Sequence, residues 1–337
     1  MAEKGSERIL LAHGGGGILM KELVARIVGK LGGARGPLQD SVTLAMDAGR
    51  IAFTTDAFVV SPLFFPGGDI GRLAVCGTVN DLAVSGARPV WLSLSLIIEE
   101  GLPFETLDRV IDSAALAARE AGVSVVTGDT KVVERGKADG LFINTSGIGV
   151  VPDGVEVSTA AARPGDAVLV NGTIGNHGLA IMSRREGIEF GSDLASDTAP
   201  LSNLIVPLLA RVRSVRAMRD ATRGGLAAVL NEMAADSSAC IRLDEAAIPV
   251  SETVKRGCEL MGYDPLHIAN EGKFVTIVPR EDADEALAVM REHPLGRNAA
   301  LIGEVAADPP GLVILKTVFG GERVVDIPYG DLLPRIC

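Results

Sequence analysis

The sequence has few of the features that define several large classes of protein. Aromatic residues make up only 4% of the 337 residues, which argues against a surface that stacks nucleic-acid bases. The 43 acidic and 32 basic side chains give a formal net charge of −11, which disfavours broad binding to a phosphate backbone. No stretch of about 18 uncharged apolar residues is present, so no membrane span is predicted. We therefore expect neither a nucleic-acid partner nor a membrane.

Cysteine pairs and the commonest nucleotide-binding motifs are also missing. The four cysteines form no CxxC pair, so their spacing indicates neither a disulfide framework nor a zinc site. The N-terminus lacks the charged-then-apolar pattern of a signal peptide, and these two features together favour the cytoplasm. The sequence contains no GxxxxGK[ST], and no GxGxxG follows a strand. The phosphate-binding loop of the common NTPases and the dinucleotide fingerprint are therefore excluded.

The chain ends in a cysteine, Cys337, preceded by Leu333-Pro334-Arg335-Ile336. A terminal side chain has no downstream chain to hold it and can be mobile. Such an arm could carry a covalently bound group into one protein's pocket and then offer it to another. Position alone favours an inert last residue, so this hypothesis depends on the rest of the sequence.

The apolar periodicity predicts two successive α/β units. The first begins with a Gly-rich segment and a short amphipathic stretch, Met20 to Val28. It continues with a hairpin (Ser41–Asp47 and Arg50–Val60), helices at Asp69–Ser85 and Phe104–Glu120, and strands at Val90–Ile98, Val123–Thr127 and Leu141–Val151. A boundary is expected near Ser158–Arg163. The second unit has helices near Gly178–Glu186, Leu201–Val212, Gly225–Ala235 and Glu281–Glu292, and strands at Ala167–Val170, Phe274–Val278, Ala300–Val305 and Leu312–Leu315.

Several aspartates lie where a rigid scaffold could direct them at a ligand. Mg²⁺ is usually held by a few carboxylates together with substrate phosphates, so a scattered set of aspartates suits such ions on a nucleoside triphosphate. Any single aspartate is more often a turn or a helix cap. Asp81 is the hardest to explain in that way, because Asn-Asp inside an apolar helix is poor for packing. The candidates are Asp40, Asp56, Asp81, Asp129 and Asp220.

Two Gly-rich segments are candidates for contact with phosphate. Asp220-Ala221-Thr222-Arg223-Gly224-Gly225 precedes a predicted helix, whose N-terminus would supply free N–H groups. The four glycines after His13 could form a loop that closes over phosphate, or could be a flexible leader. Both signals are weak when taken alone.

Two further residues carry possible catalytic roles. Glu271 comes just before a predicted strand and beside a glycine, which makes it a candidate general base. Lys131, two residues after Asp129, could balance charge that develops on a phosphoryl group. His13 and His177 are interpreted as structural or loop histidines and not as metal ligands.

Taken in order, these segments resemble a known family. They are HGGGG, QDS, FTTD, TVNDLAVSGA, TGDTKVV, GNHGLAIMSRREG, DATRGGL, DPLHIANEGK and the terminal PRIC. The chain resembles, over essentially its whole length, the HypE family of hydrogenase maturation factors, the carbamoyl dehydratases. That family belongs to the superfamily of aminoimidazole ribonucleotide synthetase (PurM), selenophosphate synthetase and thiamine monophosphate kinase. The ANEGK segment and the PRIC ending are the most specific parts of the resemblance.

The resemblance implies a mixed α/β, two-domain PurM-like fold. In that fold the N-terminal sheets of a homodimer pair into a barrel. The segments implied are a Gly-rich N-terminal segment (1–37), an ATP-binding and dimerisation domain (38–157), a C-terminal α/β domain (158–322) and a mobile tail (323–337). QDS departs from relatives that carry two adjacent acidic residues, which leaves the number of metal ions open.

Carried over to this sequence, the resemblance implies a Mg²⁺–ATP site near the dimer interface. The catalytic residues implied are Cys337, Glu271 and Lys131, and the metal ligands are Asp40, Asp56, Asp81, Asp129 and Asp220. The nucleotide would contact those five aspartates and also Gly14, Gly15, Gly16, Gly17, Asp47, Thr78, Asn80, Thr222 and Arg223.

The chemistry implied is ATP-dependent dehydration of a carbamoyl group on Cys337 to a thiocyanate. The carbamoyltransferase HypF would supply the carbamoyl group. The HypC–HypD scaffold complex would receive cyanide for the iron of [NiFe]-hydrogenase. Two alternatives stay open: a small-molecule ATP enzyme of the same superfamily, and a non-catalytic nucleotide-binding scaffold. Selenophosphate synthetases carry a reactive Cys or selenocysteine in the N-terminal glycine-rich segment, and His13–Gly17 has no cysteine.

Overall fold

Two β-sheets, one in each half of the chain, organise the fold. The computed structural model describes residues 8–14, 18–32, 49–188, 190, 194–327 and 335–337. The first half holds α1 (Ile18–Lys30), β1 (Arg50–Phe58), β2 (Phe64–Phe65), β3 (Gly68–Asp69), α2 (Ile70–Val84), β4 (Arg88–Glu99), α3 (Phe104–Ala121), β5 (Ser124–Val133) and β6 (Leu141–Val151). The second half holds β7 (Ala167–Val170), α4 (Asn176–Glu186), α5 (Ser202–Arg211), β8 (Ala217–Asp220), α6 (Gly225–Ser237), β9 (Cys240–Asp244), α7 (Glu252–Met261), β10 (Phe274–Val278), α8 (Ala283–Glu292), β11 (Ala300–Ala306), β12 (Val313–Lys316) and β13 (Glu322–Val324).

The first sheet has four strands in the order β1–β6–β4–β5. β6 runs antiparallel to β1 and to β4, whereas β4 and β5 are parallel. Buried and less buried residues alternate along β6, as expected for a sheet with one face on the core. β1 and β5 are therefore the two opposite edges of the sheet.

Helix α2 lies between the two halves of the chain. The Asp69 side chain caps it by accepting hydrogen bonds from the backbone N–H groups of Gly71 and Arg72. The helix contacts β1, β6 and α3 on the first-half side and α5 and β8 on the second-half side. All of its residues are buried except Arg72 and Asp81. This position brings Asp81 to the junction of the two halves.

The second sheet has seven strands in the order β13–β12–β9–β11–β7–β10–β8. Only the β9–β12 pair is parallel. Alternate side chains of β7 enter two different cores. Val168 and Val170 pack in the cluster that contains α6, and Ala167 and Leu169 pack in the cluster that contains α5 and α8. Helices therefore cover both faces of this sheet, which explains why β7 and β10 are buried throughout.

Most of the predicted elements agree with the structure, and the differences have physical causes. The predicted strand Val123–Thr127 continues to Val133, so Asp129 lies inside a strand and not after one. β8 and β9 were not predicted, because Arg219 and Arg242 interrupt their short apolar patterns. Helix α7 was also missed, and β13 crosses the predicted start of the tail at 323. The first arm of the predicted hairpin, Ser41–Asp47, lies outside the described residues.

Helix α1 packs on the outside of α3 through charged pairs. Arg26 is paired with Asp108, and the Lys30 ammonium lies 2.6 Å from the Asp112 carboxylate. The Arg26 guanidinium also stacks on Phe104, 4.8 Å from the ring centre. Among the helices of the described part of the chain, none combines the length and the apolar character that a membrane crossing needs.

Candidate active site

Three aspartates meet at the junction of the two halves. Asp56 is on β1, Asp81 is in α2, and Asp220 ends β8, where it pairs in register with Phe274 of β10. Thr54 donates its hydroxyl to an Asp81 oxygen at 3.0 Å. With Glu271, which comes just before β10, these residues form what we call the acidic cluster.

The carboxylates of the acidic cluster destabilise one another's charge. Burial, followed by the nearby Asp81 carboxylate, raises the pKa of Asp220 to about 7. Burial, followed by the Asp56 carboxylate, also raises the pKa of Asp81, and burial raises the pKa of Asp56. Mg²⁺ prefers oxygen ligands, and a cation bound among these carboxylates would offset their mutual repulsion.

The donor set fits a magnesium ion that is shared with phosphates. Within the residues that the structure describes, no group of three or more His, Cys, Asp or Glu side chains is arranged to hold a metal ion. Mg²⁺ commonly keeps waters and substrate phosphates and takes only one or two carboxylates. Asp56, Asp81 and Asp220 can therefore supply part of a coordination sphere. The predicted ligand Asp40 and the predicted nucleotide contact Asp47 lie outside the described residues.

Glu271 is a buried carboxyl group with an unused oxygen. It is 3% exposed, and its Oε1 has no hydrogen-bond partner among the described residues. Burial raises the pKa of Glu271 well above the ordinary value, and the Asp220 and Asp197 carboxylates raise it further. An unpaired buried carboxyl next to a site for chemistry is a typical candidate for proton transfer.

The backbone of Glu271 is held by a buried ion pair. Asp197 accepts hydrogen bonds from the N–H groups of Glu271 and Gly272 at 3.1 and 3.2 Å. The Lys273 ammonium lies 3.0 Å from the same carboxylate. Neither Asp197 nor Lys273 was singled out in the sequence, because their partners can be identified only in the folded chain.

The last three residues, which we call the tail segment, lie against the acidic cluster. The N–H of Val59 donates to a main-chain carboxylate oxygen of Cys337 at 3.0 Å, and the N–H of Ser61 donates to the Arg335 carbonyl at 3.3 Å. The Arg335 guanidinium bonds to the Val59 carbonyl at 3.0 Å and to Asp139 at 2.7 Å. Ile336 is 1% exposed and belongs to the apolar cluster that joins the first sheet to α4. The tail segment is therefore docked.

Docking places the Cys337 sulfur among charged groups. Arg223 donates to Sγ at 3.2 Å. Burial, followed by the Glu271 carboxylate, raises the pKa of the Cys337 thiol to about 11. The thiol therefore stays protonated near neutral pH while it is docked, which disfavours its reaction as a thiolate there.

The Arg223 turn is packed tightly against the segment that carries Glu271. The N–H of Ala221 bonds to the Lys273 carbonyl, and Asn270 bonds to the Ala221 carbonyl through its N–H and its side-chain amide. Gly225 has φ +60°, and a Cβ there would lie 2.5 Å from the Leu266 carbonyl oxygen. The half-buried Thr222 lies in this turn. The glycine at 225 is therefore required for packing between protein segments.

Two predicted nucleotide contacts, Asn80 and Thr78, have hydrogen-bond partners within the protein. The Asn80 side chain is buried. Its amide donates to the carbonyls of Ala199 and Glu271, and its oxygen accepts from the N–H of Leu201. The Thr78 hydroxyl is buried against the Thr145 hydroxyl. These bonds occupy both side chains in joining α2 to its neighbours, and contact of Asn80 and Thr78 with the nucleotide stays a prediction.

Asp129 and Lys131 lie away from the acidic cluster of their own chain. They form an exposed ion pair of 2.7 Å on β5. β5 and β1 are separated by two strands, which corresponds to about 14 Å across the sheet. The Lys131 ammonium is the first cause of the lowered pKa of Asp129. A single chain therefore does not bring this pair to Asp56.

The described residues before α1 also lie on the β5 side. Leu11–Gly14 form a short 3-10 helix that contacts β5, and the N–H of Leu11 bonds to Glu100 at 3.2 Å. Gly14 therefore lies away from the acidic cluster. Gly15, Gly16 and Gly17 lie outside the described residues.

Gly272 offers a test of how tightly Glu271 is positioned. A Cβ at Gly272 would lie 1.9 Å from the Asp197 carbonyl oxygen, so the backbone must shift to accept any side chain. We expect Gly272→Ala to destabilise the protein by about 1–3 kcal/mol in urea unfolding. Gly29→Ala is the matched control, because a Cβ at Gly29 meets nothing within 4 Å. Equal stability of the two variants would contradict this account.

The thiol makes docking of the tail segment dependent on pH. In the released tail we expect the thiol to titrate near its ordinary pKa of 9.0, whereas docking raises the pKa to about 11. The docked state therefore favours the protonated thiol. The docking equilibrium constant is undiminished below pH 9 and falls by up to about 100-fold as the pH rises through 11. Trypsin cleavage after Arg335 should accelerate between pH 9 and 10, beyond trypsin's own pH dependence. Cys337→Ala should show only that intrinsic dependence; the same acceleration in this variant would exclude the thiol as its cause.

Comparison with known proteins defines the class of this protein. Residues 39–151 match the AIR synthase related protein, N-terminal domain, and residues 163–316 match the AIR synthase related protein, C-terminal domain. With the two sheets described above, these matches confirm the predicted PurM-like, two-domain α/β fold. A thiamine-monophosphate kinase from Stenotrophomonas maltophilia shares the fold, with a TM-score of 0.67 and 20% identity over 91% of this chain and 96% of that one.

More similar relatives identify the family. Carbamoyl dehydratase HypE of Rhizobium leguminosarum bv. viciae is 53% identical over 333 residues, which cover 98% of this chain and 95% of the relative. Carbamoyl dehydratase HypE of Escherichia coli (strain K12) is 47% identical over 98% of this chain and 99% of the relative. The chain belongs to the HypE family of carbamoyl dehydratases, as the resemblance predicted.

Two solved HypE structures match the fold closely. Hydrogenase maturation protein HypE in complex with ATP has a TM-score of 0.94 and 46% identity over 98% of this chain and all of that one. The HypE of a HypE–HypF complex has a TM-score of 0.80 and 52% identity over 82% of this chain and 90% of that one.

Proposed function

We propose that the protein dehydrates a carbamoyl group on its own Cys337 to a thiocyanate, at the expense of ATP. The observation that carries the proposal is the docked tail segment. Its sulfur accepts a hydrogen bond from Arg223, and burial, followed by the Glu271 carboxyl, raises the pKa of the thiol. The substrate would therefore be part of the enzyme. Docking supplies most of the positioning that a two-substrate reaction otherwise needs.

The proposed reaction has two steps, a phosphoryl transfer and an elimination of phosphate. The oxygen of the S-carbamoyl group takes the terminal phosphoryl group of the co-substrate ATP, which releases ADP and gives an imino phosphate. One nitrogen-bound proton is lost as the imino phosphate forms. Loss of the remaining N–H proton to a base, with departure of phosphate, leaves S–C≡N on Cys337. We assign the base to Glu271 because its Oε1 is buried and has no hydrogen-bond partner in the part of the chain that the structure describes. The raised pKa of Glu271 suits acceptance of a proton near neutral pH.

We propose that the nucleotide and its Mg²⁺ bind at the acidic cluster. A related HypE has been solved in complex with ATP. Asp56, Asp81 and Asp220 would hold Mg²⁺, and Asp40 is proposed to join them. When bound, Mg²⁺ offsets the charge of the phosphate oxygens. The turn that contains Thr222 and Arg223 is proposed to contact the phosphates, with the N–H groups that begin α6 directed at them.

A homodimer is proposed because one chain leaves the site incomplete. Asp129, Lys131 and Gly14 lie at the β5 edge, opposite β1. β1 also exposes apolar side chains, with Phe53 67% and Ile51 55% exposed. Pairing of two sheets in a barrel would cover these residues and could bring the β5 edge of one copy to the acidic cluster of the other. Lys131 would then act on the phosphoryl group.

The partners follow from the chemistry of the tail. HypF is proposed as the carbamoyl donor, since a related HypE has been solved in a HypE–HypF complex. The raised thiol pKa indicates that loading occurs on the released tail and not in the docked state. HypC–HypD is proposed as the acceptor of cyanide, and the cytoplasm as the compartment of the pathway.

Mass measurement of the C-terminal peptide tests the proposed function. The protein is incubated with ATP, Mg²⁺, carbamoyl phosphate and HypF. We expect Cys337 to gain a carbamoyl group and then to lose the elements of one water. ATP turnover with no change at Cys337 would instead favour a small-molecule enzyme. Absence of both turnover and modification would favour a nucleotide-binding scaffold.

A further inference from the structure

His177 is the buried residue that contacts the tail segment from the second half of the chain. It is fully buried. Its Nε2 lies 2.8 Å from the carbonyl oxygen of Ile336, and its Nδ1 lies 2.8 Å from the Ser196 hydroxyl. Burial lowers the pKa of His177, so the ring is neutral near pH 7. Since a carbonyl can only accept, Nε2–H donates to Ile336 and Nδ1 accepts from Ser196.

Ser196 is itself held in place by neighbouring groups. Its N–H donates to the Pro66 carbonyl at 2.7 Å. The Thr198 hydroxyl lies 2.6 Å from the Ser196 hydroxyl, and the Thr198 N–H donates to the same oxygen at 3.1 Å. Because Ser196 gives its proton to His177, Thr198 must donate its own to Ser196. The tautomer that binds the tail is thus fixed by a chain of hydroxyl groups.

The residue between Ser196 and Thr198 holds the proposed base. Asp197 accepts from the N–H groups of Glu271 and Gly272 and pairs with Lys273. The consecutive residues Ser196, Asp197 and Thr198 therefore hold both the tail segment, through His177, and the proposed base Glu271. The outer two lock the histidine that holds the tail segment, and the middle one holds the backbone of Glu271.

We propose that His177 and Asp197 are positioning residues for the dehydration, and that the segment Ser196–Thr198 fixes the separation between the Cys337 sulfur and the Glu271 carboxyl. This inference rests on the proposed function of the same site. Ile336 directly precedes Cys337, so loss of its carbonyl bond frees the sulfur to move. Displacements of about 1 Å can cost on the order of 100-fold in rate.

A purely structural histidine would bond to a fixed part of the fold. Here the Nε2 acceptor belongs to the chain terminus, which has to leave the site before Cys337 can be loaded by another protein. Every undocking event therefore deprives a buried donor of its acceptor, which is unfavourable. The bond favours the docked state in which dehydration takes place.

The test compares His177→Leu with His177→Gln, in which an amide N–H can again donate to the carbonyl. Protein carbamoylated on Cys337 is mixed with ATP, and thiocyanate formation is followed by mass. His177→Leu should dehydrate about 10- to 100-fold more slowly with unchanged ATP affinity, and His177→Gln should recover part of the rate. In the unloaded protein, iodoacetamide should alkylate Cys337 of His177→Leu several-fold faster than that of the wild type at pH 8.

Two further variants keep the inference testable if His177→Leu does not fold. Ser196→Ala removes the donor to Nδ1 and should accelerate alkylation and slow dehydration in the same sense. Asp197→Asn should slow dehydration while Cys337 stays as protected as in the wild type. Wild-type protection of Cys337 in both His177→Leu and Ser196→Ala would overturn the inference. Absence of dehydration in the wild type, with protection lost in the variants, would instead refute the proposed reaction and leave the tail contact intact.

Discussion

Cys337→Ala should abolish both mass changes, the gain of the carbamoyl group and the later loss of water. The reason is that the proposed substrate is attached to this sulfur and to no other group. ATP binding, measured by calorimetry, should remain, because the acidic cluster does not depend on the thiol. Mass spectrometry of the C-terminal peptide checks the first result.

Cys258→Ala is the matched control, since it also removes a buried thiol. Burial raises the pKa of Cys258 to about 11, so this thiol is protonated near neutral pH, and the variant should be modified like the wild type. Carbamoylation of Cys337→Ala at another cysteine would contradict the proposal. Loss of ATP binding in Cys337→Ala would show that the tail segment has a structural role in the nucleotide site.

Glu271→Gln should stop the reaction at the carbamoylated stage. Amide and carboxyl have similar shapes, but the amide cannot accept the proton, so the dehydration rate should fall by about 10²- to 10⁴-fold. Loading of Cys337 should be unaffected. The measurement is the ratio of carbamoylated to cyanated peptide over time after addition of ATP.

The pH dependence of the dehydration rate should follow the ionisation of Glu271. A base has to be deprotonated to act, and burial together with Asp220 raises the pKa of Glu271. The dehydration rate should therefore fall as the pH is lowered, at a higher pH than an ordinary carboxylate would give. Glu292→Gln, on an exposed residue paired with Arg211, is the control and should behave like the wild type. Unimpaired dehydration by Glu271→Gln would assign the base to another group.

The periodic parts of the fold were predictable from the sequence. The strands Leu141–Val151 and Phe274–Val278 were predicted at their observed limits, because continuous or alternating apolar residues determine both of them. Strand β8 was not predicted, since its four residues include Arg219 and Asp220. The sequence pattern is too short there to reveal a strand whose pairing with β10 supplies its stability.

The candidate site was only partly predictable. Asp56, Asp81 and Asp220 were selected by residue type and motif, and the structure brings them together. Asn80 was chosen for the same reasons, but its amide joins backbone groups that are distant in sequence. His177 was interpreted as a structural or loop histidine, and its contact with Ile336, which spans 159 positions, could not be predicted. No local pattern reports which residues meet the end of the chain.

The docked tail segment has a kinetic consequence. When the reacting group is tethered to its own catalyst, dehydration is a first-order event, and its half-time is independent of protein concentration for as long as the assembly persists. Each molecule then completes one conversion per loading, so no excess of substrate can saturate it. If the protein forms the proposed homodimer, dilution should slow dehydration only below the concentration at which the two copies separate. That threshold would measure how strongly the acidic cluster of one copy depends on the β5 edge of the other.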